Sequence, residues 1–121
     1  MAFSFRSFYY KQQEFSETTF GPGDRTNGVI AHIRSELVEV EEQYDLLLVS
    51  RYKSKIKLKI ASEIADIIIL AIDLAWRLGL RSSDIESALT RKLLKNKNRQ
   101  WPDWRTMSKD EPIEHIRGIH D

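Results

Sequence analysis

The stretch Glu63–Trp76, EIADIIILAIDLAW, decides the reading of this chain. On a helical wheel its apolar residues (Ile64, Ile67, Ile68, Ile69, Leu70, Ile72 and Leu74) fill most directions. That pattern predicts a long helix over about 60–79, closed by Gly79 as a C-terminal cap. Glu63, Asp66, Asp73 and Arg77 share one stripe roughly 80° wide, interrupted by Leu70. Acids set into a helix this apolar need neutralising, because a buried charge without a partner is expensive. An i,i+4 pair between Asp73 and Arg77 accounts for Asp73. It leaves Glu63 and Asp66 without a cation, and a divalent metal ion answers that need.

A second pair of acids lies upstream. Val29, Ile33, Leu37, Val40 and Tyr44 give the apolar stripe of a helix over about 28–45, with Asn27 as its candidate cap. Glu36 points within roughly 20° of Val29, at the edge of that stripe, and Glu39 about 60° further round. Glu41 and Glu42 point elsewhere and read as surface acids. By itself the pair Glu36/Glu39 could be the solvated border of an amphipathic helix. Facing Glu63 and Asp66 across a helix pair, it becomes an oxygen-rich box suited to a hard cation such as Mg²⁺ or Mn²⁺.

Downstream, Ser82 or Ser83 caps a helix over about 84–98, with Asp84 and Glu86 in its first turn and basic residues toward its end, as the helix dipole favours. Lys92, Asn96 and Arg99 fall within roughly 60° of one another on that helix. They continue the sector of Ile85, Ala88 and Leu89. This stripe is either a solvated basic end or the cationic complement that a metal-bridged polyphosphate requires. Further candidates are His32, which shares a side with Glu36 and Glu39, Asp73, and Trp101. Trp101 and Trp104 would either stack on a base or cap the core.

The remaining segments are simpler. Residues 3–17 suggest a first amphipathic helix with Phe5, Phe8, Tyr9 and Phe15. The segment at 18–27, with its Gly-Pro-Gly, reads as a loop. Residues 46–60, with alternating basic and apolar positions from Lys55 to Ile60, read as a helical or irregular connector. Glu111–Ile119 suggests a short last helix. His115 and His120 carry no specific signal.

The chain has 121 residues, 41% apolar and 31% charged, with a net charge of +1 and no cysteine. This length bounds one domain with a modest core, read as 1–121 with its centre at about 18–104. The charge gives no bulk argument for nucleic acid or an anionic membrane. Without cysteine there is no disulfide, thiolate zinc site or cysteine nucleophile, which fits a reducing, cytoplasmic setting. The apolar run carries Asp66 and Asp73 and is shorter than the roughly 20 residues a bilayer requires. There is no phosphate-loop motif, no Gly-x-Ser-x-Gly and no persuasive Ser/His/Asp set.

Three stretches together carry a resemblance: TFGPGDRTNGVIAHIRSELVEVE, EIADIIILAIDLAWRLG and ALTRKLLKNKNRQWPDW. ExxE, then ExxD, then K-x-x-x-N-x-x-R-x-W-P resembles the MazG-like nucleotide pyrophosphohydrolases, in particular their dATP/dGTP branch. The resemblance spans about Thr18–Trp104. It implies an all-α MazG-like helical bundle that cleaves a purine nucleoside triphosphate between the α and β phosphates. Glu36, Glu39, Glu63 and Asp66 would hold Mg²⁺ or Mn²⁺ and serve catalysis. Lys92, Asn96 and Arg99 would meet the phosphates. A homodimer or homotetramer is implied, with the site near subunit contacts. Phage relatives of this branch supply dGMP to a 2-aminoadenine pathway. The segment from Gln43 to Lys59 departs from the family, being longer and more basic than its usual acidic connector, which bears on substrate range and oligomer geometry. Two other readings stay open: a dUTP-type all-α pyrophosphohydrolase, and a non-catalytic helical oligomerisation protein with buried inter-subunit salt bridges.

Overall fold

A computed structural model describes residues 2–118 of the chain. Its regular structure is entirely helical, in the order α1 (Phe5–Phe20), α2 (Thr26–Val49), α3 (Lys53–Arg77) and α4 (Ser82–Lys97), then a single 3₁₀ turn at Trp104–Thr106. The all-α expectation holds. Contacts divide the chain into two compact units, Met1–Ile85 and Glu86–Asp121, with α4 beginning in the first and running into the second.

In the first unit α2 packs along α3, and α1 packs against α3. The core is small. Tyr9, Ile72, Ala75 and Trp76 are buried together, with Phe5, Phe8 and Ile85 against them. Val29, Ile56 and Leu70 are buried as well. The Tyr9 hydroxyl donates to the Leu80 carbonyl at 2.6 Å, so the one polar atom of a fully buried ring is satisfied.

Each helix end has a local cause. Ser4 caps α1, its hydroxyl accepting from the Ser7 amide. α1 stops at Phe20 because Gly21 takes φ +86°, a backbone setting that suits glycine. The cap expected at Asn27 is not used. α2 starts earlier, at Thr26, and the Asp24 carboxylate accepts the Thr26 amide at 2.9 Å. That bond first, and the Thr26 side chain after it, hold the Asp24 carboxyl below its usual range. α3 ends as predicted, at a glycine. Gly79, at φ +83°, donates to the Trp76 carbonyl and Leu80 to the Ala75 carbonyl, the paired bonds of a Schellman motif. At the start of α4 Ser82 is buried, and the Asp84 carboxylate accepts the Arg81 amide at 2.7 Å.

The ambiguous segment 46–60 resolves into helix almost throughout. α2 runs on to Val49, and α3 begins at Lys53, leaving a short turn between them. Ile56 is buried and Ile60 half-buried, one helical turn apart, so helix packing overrides the local strand-like alternation. The expected last helix does not form among the described residues, since 107–118 carry no helix. The Ile116 amide instead donates to the Gln100 carbonyl at 2.8 Å, folding the tail back within the second unit. Ile119 and His120 lie outside the described residues. No described helix is long and apolar enough to cross a membrane.

Candidate metal centre

Two helices build the acid cluster. α2 presents Glu36 and Glu39, one turn apart, and α3 presents Glu63. One carboxylate oxygen from each lies within 4.8 Å of the other two. Glu36 is the buried member, 8% exposed, because it shares the inward stripe of α2 with Val29. Its Oε2 is buried and has no hydrogen-bond partner. Its Oε1 lies 3.2 Å from His32 Nε2, one turn earlier on α2. Glu63 is half-buried and Glu39 exposed.

Three carboxylates this close cannot all be charged without cost. The Glu63 carboxyl is pushed up, first because its protonated form can donate to the adjacent Glu36 carboxylate, and also by partial burial and the nearby charges of Glu36 and Asp66. The Glu39 carboxyl is pushed up chiefly by its hydrogen-bonding contact with Glu63. Such a set fits a divalent cation. All its donors are hard oxygens, two helices fix their spacing, and Glu36 Oε2 is an acceptor held out of water with nothing to accept.

Asp66 is not in this tight group. It lies one turn after Glu63 on α3, is exposed, and lines a cleft together with Glu36. The structure also reorders the acids. The sequence pattern makes Glu63 and Asp66 the buried pair, yet Glu36 is the more buried acid. The reason is that α3 is not covered all round in a single chain: Ile64 is 47% exposed and Ile68 53%.

Asp73 has a different partner set from the one expected. It is 4% exposed and makes no direct ion pair with Arg77 among the described residues. Its Oδ1 accepts from Gln12 Nε2 and Trp76 Nε1, both at 3.1 Å, and its Oδ2 accepts from the Ser16 hydroxyl at 2.8 Å. Ser16 in turn accepts from Arg77 Nη2 at 3.0 Å. Arg77 Nη1 donates to the Gly21 and Gly23 carbonyls, both at 3.0 Å. Asp73 therefore ties α1 to α3, and Arg77 ties down the loop between α1 and α2.

This network supports the wall of a cleft of about 460 Å³ between α1, α2 and α3. Its lining includes Glu36 and Asp66, His32 beside Glu36, and Gln12, Phe15, Phe20 and Arg25. The contributions of Gln12 and Ser16 were missed in the sequence. Their signal is faint: with Tyr9 they fall at i, i+3 and i+7, so two polar residues sit on the face of α1 that buries Tyr9.

In the second unit Arg99 Nη1 donates to Asn96 Oδ1 at 2.9 Å, which brings two members of the predicted phosphate stripe together. Arg99 Nε is buried without a partner. Lys92 is exposed, one turn before Asn96. Trp101 donates through Nε1 to the Asn96 carbonyl at 2.8 Å and sets its ring edge-on to His115.

The sequence model of a family described as dATP/dGTP pyrophosphohydrolase matches residues 57–118, just over half of the chain. The chain belongs to that family. No curated protein and no solved structure matches it. Membership makes this dATP/dGTP pyrophosphohydrolase family member a hydrolase acting on acid anhydrides. The matched part holds Glu63, Asp66, Lys92, Asn96, Arg99 and Trp101, and it begins downstream of Glu36 and Glu39. The matched residues thus hold one of the three clustered carboxylates, Glu63, and the α2–α3 packing brings the other two, Glu36 and Glu39, to it.

Proposed function

We propose that this protein hydrolyses a purine deoxynucleoside triphosphate, dGTP or dATP, between its α and β phosphates, giving the monophosphate and pyrophosphate with Mg²⁺ or Mn²⁺. One observation carries the reading: three carboxylates from two helices converge within 4.8 Å, with one buried oxygen left unpaired, in a member of a pyrophosphohydrolase family. Bound there, a hard divalent cation supplies Lewis acidity toward phosphate oxygens and lowers the pKa of water.

The chain's own groups do the rest. Glu36, Glu39 and Glu63 hold the cation, and Asp66 completes the set from the next turn of α3. His32 orients Glu36. A carboxylate of the cluster takes the proton of the attacking water. Lys92, Asn96 and Arg99 meet the phosphates, the two cations offsetting the charge that builds on departing pyrophosphate. The whole of 1–121 acts as one catalytic domain.

We also propose that the working form is a homo-oligomer. Leu37, Val38, Tyr44, Leu46, Leu58, Ile64 and Ile68 all lie on α2 and α3, and each leaves 47% or more of its surface in water in a single chain. Helices that apolar need a partner surface.

The test of the reaction is ³¹P NMR of a nucleotide panel (dGTP, dATP, dUTP) incubated with Mg²⁺ or Mn²⁺. Pyrophosphate from the purines supports the reading, and orthophosphate as the direct product overturns it. Glu36→Gln, Glu63→Gln and Asp66→Asn should each abolish turnover with the helical circular-dichroism spectrum kept. Full activity in any one removes that residue from the site.

A further inference from the structure

The cleft beside the carboxylates has walls that the cation does not need. Phe15 and Phe20 stand edge to face, ring centroids 6.0 Å apart and 87° between planes. Both rings line the cleft, yet they are 56% and 54% exposed. Two large aromatics this exposed in the lining of a cavity offer flat apolar area to a ring that is not part of the chain. The cleft volume, about 460 Å³, lies in the range of small-molecule sites.

Gln12 lines the same cleft. Its Nε2 is committed to Asp73 Oδ1 at 3.1 Å. That bond fixes which way round the amide stands: nitrogen toward α3, with Oε1 left as a hydrogen-bond acceptor on a residue that lines the cleft. Asp73 itself already has both oxygens engaged in three hydrogen bonds. The cleft so described suits a neutral aromatic ring that carries a hydrogen-bond donor. The same cleft also carries Glu36 and Asp66, which repel an anion until a cation is bound. A ligand that joins a neutral ring to a metal-binding polyanion satisfies both sets of groups.

We propose that this cleft is the nucleobase site: an amino-bearing purine packs against Phe15 and Phe20 and donates its exocyclic N–H to Gln12 Oε1. The inference rests on the triphosphate reading above for the identity of the ligand. It adds the residues that select the base, and places all of them on α1, outside the family match. Arg77 and Asp73 are positioning residues for it, because they hold α1 and the loop after it against α3.

Steady-state kinetics on the full-length protein test it. Base–aromatic packing predicts that Phe15→Ala and Phe20→Ala each raise KM for dGTP roughly 5- to 100-fold, with a much smaller change in kcat. Wild type should prefer dGTP to dITP, which lacks the 2-amino group, and dATP to purine deoxyriboside triphosphate. A site built to accept an N–H leaves its acceptor unpaired when the N–H is missing. Gln12→Ala should bring both ratios close to one. These are ratios within one variant, so a partial loss of folded protein cancels. Phe15→Ala and Phe20→Ala with unchanged KM, or a wild type indifferent to the amino group, overturns the proposal while leaving pyrophosphate release standing.

A second measurement separates the two readings from the other side. Deoxyguanosine, which has no phosphates, should shift the amide NMR signals of α1 around Gln12 and Phe15 in metal-free protein. Binding without any triphosphate turnover would sink the reaction and keep the base site. Shifts confined to other helices would sink the base site.

Discussion

Ser16 is fully buried and joins two charged groups, so replacing it by alanine is a direct measure of how α1 is held. The change removes a 2.8 Å donor to Asp73 Oδ2 and a 3.0 Å acceptor for Arg77 Nη2. Asp73 is 4% exposed, so water cannot readily take the vacated place. A hydrogen bond to such a charged group is worth about 1.5–3 kcal/mol. Arg77 is half-buried and can recover part of its loss from solvent, so its share is smaller. Together the two give about 2–4 kcal/mol, a large part of the roughly 5–15 kcal/mol that domains possess. At this chain length that corresponds to a fall in Tm of about 10 °C. Urea unfolding of wild type and Ser16→Ala at one protein concentration, followed by circular dichroism, gives the difference. In a cycle with Asp73→Asn the losses should not add, because the same bond is counted in both. A loss under about 1 kcal/mol, or strict additivity, would show that α1 is held by its apolar contacts and that the Asp73 network is incidental.

Three other outcomes follow from the structure. Mn²⁺ should raise the Tm of wild type, by the equivalent of about 2.7 kcal/mol at a hundred times its Kd, and should do nothing for Glu36→Gln; an equal shift in the variant places the ion elsewhere. In metal-free protein the raised Glu39 and Glu63 carboxyls mean that the folded state holds more protons than the unfolded one above the ordinary value of 4.5. Their contribution to stability therefore falls as pH rises from there through the raised values, and urea midpoints should show a pH slope that flattens in Glu63→Gln or on adding Mn²⁺; identical slopes in all three would refute it. Gly79→Ala should cost about 1–2 kcal/mol in urea unfolding, purely through its positive φ, since an added Cβ meets nothing within 4 Å; an unchanged midpoint would mean that the Schellman turn relaxes freely.

The helical class and the order of the helices are readable because α2 and α3 keep apolar residues at helical spacing over long runs. Glu36 is readable for the same reason: its register with Val29 places it inward, and it is buried. The ranking of the acids is not readable. Periodicity reports which residues are apolar, and burial depends on what covers them. Ile64 and Ile68 are only about half covered in one chain, and beside them Glu63 is half-buried and Asp66 exposed. The partners of Asp73 are hidden too, because Gln12 and Ser16 lie more than fifty residues away in sequence and become its neighbours only when α1 docks. Asn27 has the chemistry of a cap, yet Asp24 does that work because α2 starts one residue earlier than Asn27, at Thr26.

Tyr9 and Ser16 stand two turns apart on α1, about 10 Å along its axis. Each makes a hydrogen bond with one fixed acceptor in the segment from α3 to α4, the Leu80 carbonyl and the Asp73 carboxylate. They act as two dowels in one rail. An apolar face alone lets a helix slide or roll with little penalty. A slip of one residue here would turn α1 by 100° and shift it about 1.5 Å, pulling both dowels from their holes at once. α1 therefore has one seat on α3, and Phe15, one position before Ser16, is aimed by that seat before any ligand arrives.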